Sequence, residues 1–228
     1  MDRVELKFGG LEGPALMPAG PVKALILLLH GYGANGEDLF GLAQPLVQGL
    51  DGVAVWSPNA PQSLPGMSGA FAPMQAYQWF ALSDLNPQEL SQGVQAARPV
   101  LLAAIDGALE HFALAHDQLV VVGFSQGGMM AIEAGLRLPQ PVAGVVGLST
   151  IQRDPSREHE ITARPPFVLV HGDADPVVPP QALEFTSNLL RQWEVEVEAT
   201  MLPGLAHGID ERAFAIAKRA VDGWLGEG

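Results

Sequence analysis

The chain has 228 residues, 48% hydrophobic and 16% charged, which suits one globular α/β domain with a substantial core and excludes a disordered chain. Twelve basic against 25 acidic residues leave a net charge of −13, which repels phosphate backbones and anionic bilayers, so neither nucleic acid nor a membrane surface is an expected partner. There is no cysteine, which excludes disulfides, thiolate nucleophiles and thiolate metal sites.

The N-terminal segment MDRVELKFGG lacks the basic start and apolar stretch of a signal peptide. The longest apolar runs, such as Ala24–Leu29, fall far short of a membrane span. A cytoplasmic protein without integral membrane association is therefore expected.

Short β-branched or leucine-rich runs alternate with helical patterns along the chain, as in a mostly parallel central sheet with helices on both faces. The first strand is expected over 24–29 and runs into the glycine-rich Leu29-His30-Gly31-Tyr32-Gly33-Ala34-Asn35-Gly36. A second strand over 53–57 precedes an irregular stretch, 58–86, broken by Pro58, Pro61, Pro65 and Pro73 yet rich in bulky apolar residues. A loop this long inside a compact domain is usually functional, and this one is expected to lie over the site.

Pro87 behind Asn86 reads as an N1 proline after an N-cap, opening a helix to about 115 with one interruption at Arg98-Pro99. Further strands are expected over 119–123, 143–148, 167–171 and 195–201. Glutamates at 194, 196 and 198 make the last a one-sided edge strand. Helices are expected over 126–138, 180–193 and 210–225.

The strongest chemical signal is Gly123-Phe124-Ser125-Gln126-Gly127, a G-x-S-x-G between a valine-rich strand and an apolar helix. An abrupt strand-to-helix turn places the middle residue at strained, positive φ, and flanking glycines remove the side chains that would collide there. The Ser125 hydroxyl would then stand exposed at the carboxyl end of the sheet. The Gln126 amide, at a helix N-terminus, would point where an oxyanion forms. An ordinary βα turn is the plain alternative, and the flanking strand and helix weigh against it.

A serine nucleophile needs a base and an orienting carboxylate. Asp173 and Asp175 lie just past the strand 167–171, and His207 lies in the Pro203-Gly204-Leu205-Ala206-His207-Gly208 loop after the last strand. His111, His116 and His159 read as surface residues and His171 as structural. The 29–36 loop suits the second arm of an oxyanion hole through an amide near Tyr32. It lacks the GK[ST] of a P-loop and is not G-x-G-x-x-G, so a nucleotide site is a poor reading.

Together, LHGYGANGEDL, GFSQGG, HGDADPVVP and the late His-Gly resemble the phospholipase/carboxylesterase family, over about 22–224. The resemblance implies an α/β-hydrolase fold and a serine hydrolase cleaving carboxylic esters or acyl thioesters, with acyl-protein thioesterase or lysophospholipase-type activity as the alternative. It also implies Ser125 as nucleophile, Asp175 as acid, His207 as base, and Tyr32 and Gln126 as oxyanion donors. Asp173 is then structural. No metal or organic cofactor is needed, the partner is a small ester or thioester, and a homodimer is left open. A catalytically silent binding module on the same fold is the alternative from another class. Met67, Phe71, Met74, Trp79 and Phe80 are expected to wall an apolar acyl pocket, although Trp79 and Phe80 could equally roof the core.

Overall fold

The computed structural model describes residues 1–64, 75–82, 86–152 and 154–226. In chain order the strands are β1 (Asp2–Phe8), β2 (Leu11–Met17), β3 (Ala24–Leu29), β4 (Val53–Trp56), β5 (Gln62–Ser63), β6 (Tyr77–Gln78), β7 (Leu119–Phe124), β8 (Gly144–Leu148), β9 (Phe167–Gly172) and β10 (Val197–Leu202). The helices are α1 (Gly36–Phe40), α2 (Ala43–Leu46), α3 (Pro87–Phe112), α4 (Gln126–Arg137), α5 (Gln181–Gln192) and α6 (Glu211–Leu225). Eight strands form one sheet in the order β1-β2-β4-β3-β7-β8-β9-β10, while β5 and β6 pair separately. From β4 to β10 every pairing is parallel; β1–β2 and β2–β4 are antiparallel.

The six expected strands are present with ends moved by one or two residues, and β10 is an edge. The β1–β2 hairpin was not expected. Its first strand is mostly exposed, and its second contains Gly13 and Pro14, which weaken a strand pattern in sequence. What holds it is tertiary: Ala15 and Leu16 pair with Trp56 and Val55 of β4.

Helix α3 also departs from expectation by running unbroken through Pro99. Pro99 lacks an N–H for the carbonyl of Gln95, but both residues are exposed, so that carbonyl lies on the water side. The buried stripe of Val94, Ala97, Leu101, Ala104 and Ala108 continues across the proline and keeps the helix on the sheet.

Period-two alternation divides the core into two layers. Leu25, Leu27 and Leu29 of β3 face a cluster with α3, α4 and α5, whereas Ile26 and Leu28 face one with α1, α2 and α6. Every residue of α4 is buried, which fixes the helix that follows Ser125. Among the described residues, no helix is long and apolar enough to cross a membrane.

One charged cluster is buried with this core. Glu133, with no exposed side-chain surface, takes a fork from Arg157 at 3.0 and 2.7 Å, and Arg157 and Arg98 reach Glu160 at 2.9 and 2.7 Å. Hydrogen bonds from Arg157 and then Arg98 pull the Glu160 carboxyl from 4.5 to about 2. A depressed folded-state value means the stabilisation is complete above 4.5 and is lost as pH falls towards 2. Glu160 is a quarter exposed, so screening keeps the expected loss in Glu160→Gln near ~1 kcal/mol, or about 2–4 °C in Tm at neutral pH. Acid titrations of stability should be flatter for the variant than for wild type over that window. Parallel titrations would show that Glu160 carries none of the acid sensitivity.

Candidate active site

Ser125 sits at the tip between β7 and α4 with φ 54° and ψ −117°, a left-side conformation rare outside glycine. The turn is so tight that a Cβ on Gly123 would lie 2.3 Å from the Gly127 carbonyl oxygen, and one on Gly127 would lie 2.0 Å from that of Leu29. Its backbone is clamped on both sides: the Ser125 amide donates to Leu148 and the Thr150 hydroxyl donates to the Ser125 carbonyl, both at 2.9 Å. Neighbouring strands therefore supply the support that a strained residue requires.

The Ser125 Oγ lies 3.0 Å from His207 Nε2, and His207 Nδ1 lies 2.8 Å from Asp175 Oδ2. Loops after β7, β9 and β10 thus bring three residues, up to 82 positions apart, into one hydrogen-bonded chain at the carboxyl end of the sheet. Asp175 is buried and fully engaged. Its Oδ1 accepts from the amides of Val177 and Val178 at 2.8 and 2.9 Å. His171 Nε2, which must carry its proton to donate to the Val178 carbonyl at 3.0 Å, lies 3.3 Å from Oδ2. Burial alone would raise the Asp175 carboxyl; bonds from His207 and the Val178 and Val177 amides outweigh it and hold the group below its ordinary value. Asp173, by contrast, is exposed and accepts from the Gly204 amide at 2.6 Å, tying down the loop that leads to His207.

The two amides singled out in the sequence flank this serine. Gln126 N opens the 12-residue helix α4, and the 31–33 loop lies against the elbow, since a Cβ on Gly31 would be 3.4 Å from Ser125 Cβ. Among the described residues neither the Tyr32 nor the Gln126 amide donates a hydrogen bond to a protein group. Two unengaged N–H groups beside a serine hydroxyl can hold an anionic oxygen.

The Gln126 side chain has a separate job that its sequence position does not reveal. Its Oε1 accepts from the Trp79 amide at 2.9 Å and its Nε2 donates to the Phe80 carbonyl at 2.8 Å. Trp79 Nε1 in turn donates to the His30 carbonyl at 2.9 Å, the Gly33 amide donates to the Tyr77 carbonyl at 2.9 Å, and the Tyr77 amide donates to the Ala34 carbonyl at 2.8 Å. His30 donates from Nδ1 to the Gly31 carbonyl and accepts the Ala60 amide at Nε2; burial holds its imidazole below the ordinary pKa. The described parts of the irregular stretch thus brace the loop carrying Tyr32.

This corrects one expectation. Trp79 and Phe80 are 0% and 2% exposed, so they belong to the core and offer no surface to a substrate. Burying two large rings and satisfying an indole N–H outweighs leaving them at a cleft wall. Met67, Phe71 and Met74 lie outside the described residues.

A family profile described as Phospholipase/Carboxylesterase matches residues 15–225. The chain belongs to the phospholipase/carboxylesterase family. Among similar members, acyl-protein thioesterase 1 of Mycosarcoma maydis is 34% identical over 221 residues, covering 86% of this chain and 90% of that one. Acyl-protein thioesterase 1 of Neurospora crassa is 29% identical, covering 85% and 84%. The crystal structure of esterase PE8 superposes with a TM-score of 0.87 at 33% identity, covering 94% of this chain and 99% of that one. A carboxylesterase of Bacillus cereus, at 20% identity and a TM-score of 0.70 over 92% of each chain, shares the fold. As in other α/β hydrolases of this family, the sheet is mostly parallel and helices cover both faces.

Beside His207, this family member has an open cleft of about 410 Å³. Its lining includes Phe124, His207, Gly208 and Ile209 together with Leu39 and Leu42. Leu39 and Leu42 drew no attention in the sequence. Their spacing after the glycine-rich loop marks only a short helix start, and nothing local says that it faces His207.

Proposed function

We propose that the chain is a serine hydrolase that cleaves carboxylic esters, and acyl thioesters, by two-step acyl transfer. The observation that carries this reading is the continuous chain from Ser125 Oγ through His207 to Asp175, at 3.0 and 2.8 Å, set on a positive-φ turn. Ser125 attacks the carbonyl carbon while its proton passes to His207 Nε2. Asp175 holds the imidazole in the tautomer that can accept it and stabilises the imidazolium. The Tyr32 and Gln126 amides stabilise the oxyanion. His207 then protonates the leaving oxygen or sulfur, and a water attacks the acyl-enzyme with His207 again as base.

The reading treats residues 1–228 as one hydrolase domain, with the described parts of the 58–86 stretch, 58–64 and 75–82, packed beside the site. Bonds from Ala60, Tyr77 and Trp79 to the 30–34 loop support that placement. The names of relatives, two acyl-protein thioesterases and an esterase, support acyl transfer to water as the chemistry. The experiment is a panel of matched acyl esters and thioesters of increasing chain length, run beside covalent labelling by a fluorophosphonate. Labelling at Ser125 with turnover of either acyl series supports the proposal. Absence of both, in folded protein, would leave a silent binding module.

A further inference from the structure

The proposed chemistry gives direction to the cleft at His207. His207 Nε2 faces Ser125 Oγ at 3.0 Å, and the same nitrogen must deliver its proton to the leaving atom. Whatever is attached to that atom therefore begins at His207. The cleft begins there too: its wall runs from the His207 ring through Gly208 to Ile209, with Phe124 packed against the imidazole at a centroid distance of 4.9 Å. Leu39 and the half-buried Leu42 line it as well. A Cβ on Gly208 would meet nothing within 4 Å, so the wall is open beside the histidine. Its volume, about 410 Å³, lies within the range of small-ligand sites.

The charge at this cleft has one sign. The exposed Asp38 lies on it, its Oδ2 accepting the Asn35 amide at 2.9 Å, and no lysine or arginine is among its described lining residues. The whole chain carries −13. An anionic group brought here meets a carboxylate and apolar walls that cannot solvate it.

Resting on the triad reading above, we propose that this cleft seats the leaving-group side of the substrate and selects uncharged, apolar alcohols or thiols against anionic ones. Leu42 is a specificity residue, because it lines the same cleft as His207 without belonging to the hydrogen-bonded chain. A buried methylene contributes up to about fourfold in kcat/KM.

The test uses butyrate esters of alcohols from methanol to hexanol, and the matched pair of hexanol and 6-hydroxyhexanoate, followed by butyrate release. For wild type, kcat/KM should rise along the alcohol series and be at least about tenfold lower for the carboxylated member of the pair. Leu42→Trp should flatten the alcohol series but leave the slope along methyl esters of longer acids as in wild type. Leu42→Arg should narrow the penalty on the carboxylated alcohol. An equal rate for the matched pair in wild type overturns the charge selection and needs no variant. A change in the acyl slope with no change in the alcohol slope would make the cleft an acyl site. Fluorophosphonate labelling separates these results from failure of the triad reading: a protein whose Ser125 is never labelled has lost the mechanism, whatever its alcohol preference.

Discussion

Ser125→Ala is expected to lower kcat by roughly 10⁶-fold and to abolish fluorophosphonate labelling, the scale seen when a serine-hydrolase nucleophile is removed. The fold should survive. The bonds that clamp the elbow run through the Ser125 amide and carbonyl, and the hydroxyl is hydrogen-bonded to His207. Alanine keeps the first two and removes the third. It also meets about the same backbone strain at φ 54°, so Tm should shift little. Residual turnover above water would reflect the oxyanion amides and binding alone. Labelling of the variant at the wild-type rate would move the nucleophile to another residue and end the assignment.

Asp175→Asn should reduce kcat by about 10⁴, whereas Asp173→Asn should leave it within roughly tenfold of wild type. The reason is the set of groups around each carboxylate. Asp175 Oδ1 is occupied by the Val177 and Val178 amides, so an asparagine keeps its oxygen there and turns its NH₂ towards His207 Nδ1. That imidazole must then carry its proton on Nε2, the nitrogen meant to accept from Ser125, and the relay is blocked. Asp173 bonds the Gly204 amide, and an asparagine oxygen can accept the same bond. Its replacement should appear in the melting temperature and in loop protection from hydrogen exchange more than in rate. If Asp173→Asn proved the more damaging in two equally folded proteins, Asp175 would not be the orienting carboxylate.

Much of this chain could be read before its fold was known, for a local reason. Parallel strands buried on both faces are continuous apolar runs, and 24–29, 119–123 and 167–171 show them plainly. The elbow was equally legible, because its glycines are demanded by contacts within five residues and with the adjoining strand. The hydrogen-bonded triad could be proposed because each member sits at the end of such a strand. Choosing between Asp173 and Asp175 was a different matter. The residues alone left both open, and the resemblance favoured Asp175. In the fold, Asp175 lies 2.8 Å from His207 Nδ1 and Asp173 accepts from the Gly204 amide.

What sequence could not decide was where side chains from distant segments come to rest. Trp79 and Phe80 look the same in composition whether they wall a pocket or roof a core. The Gln126 side chain and the His30 carbonyl, 47 and 49 residues from Trp79, hold the pair inside. Leu42 and Ile209 are far apart in the chain and share a cleft because α1–α2 and the His207 loop meet on one side of the sheet. The Pro-containing β2 becomes a strand because β4 offers it an edge and the exposed β1 because β2 does, and α3 passes through Pro99 because its buried stripe outweighs one missing backbone bond. Local pattern set the elements and the tight turn at the elbow, whereas long-range packing decided which residues brace the site and which line the cleft beside His207.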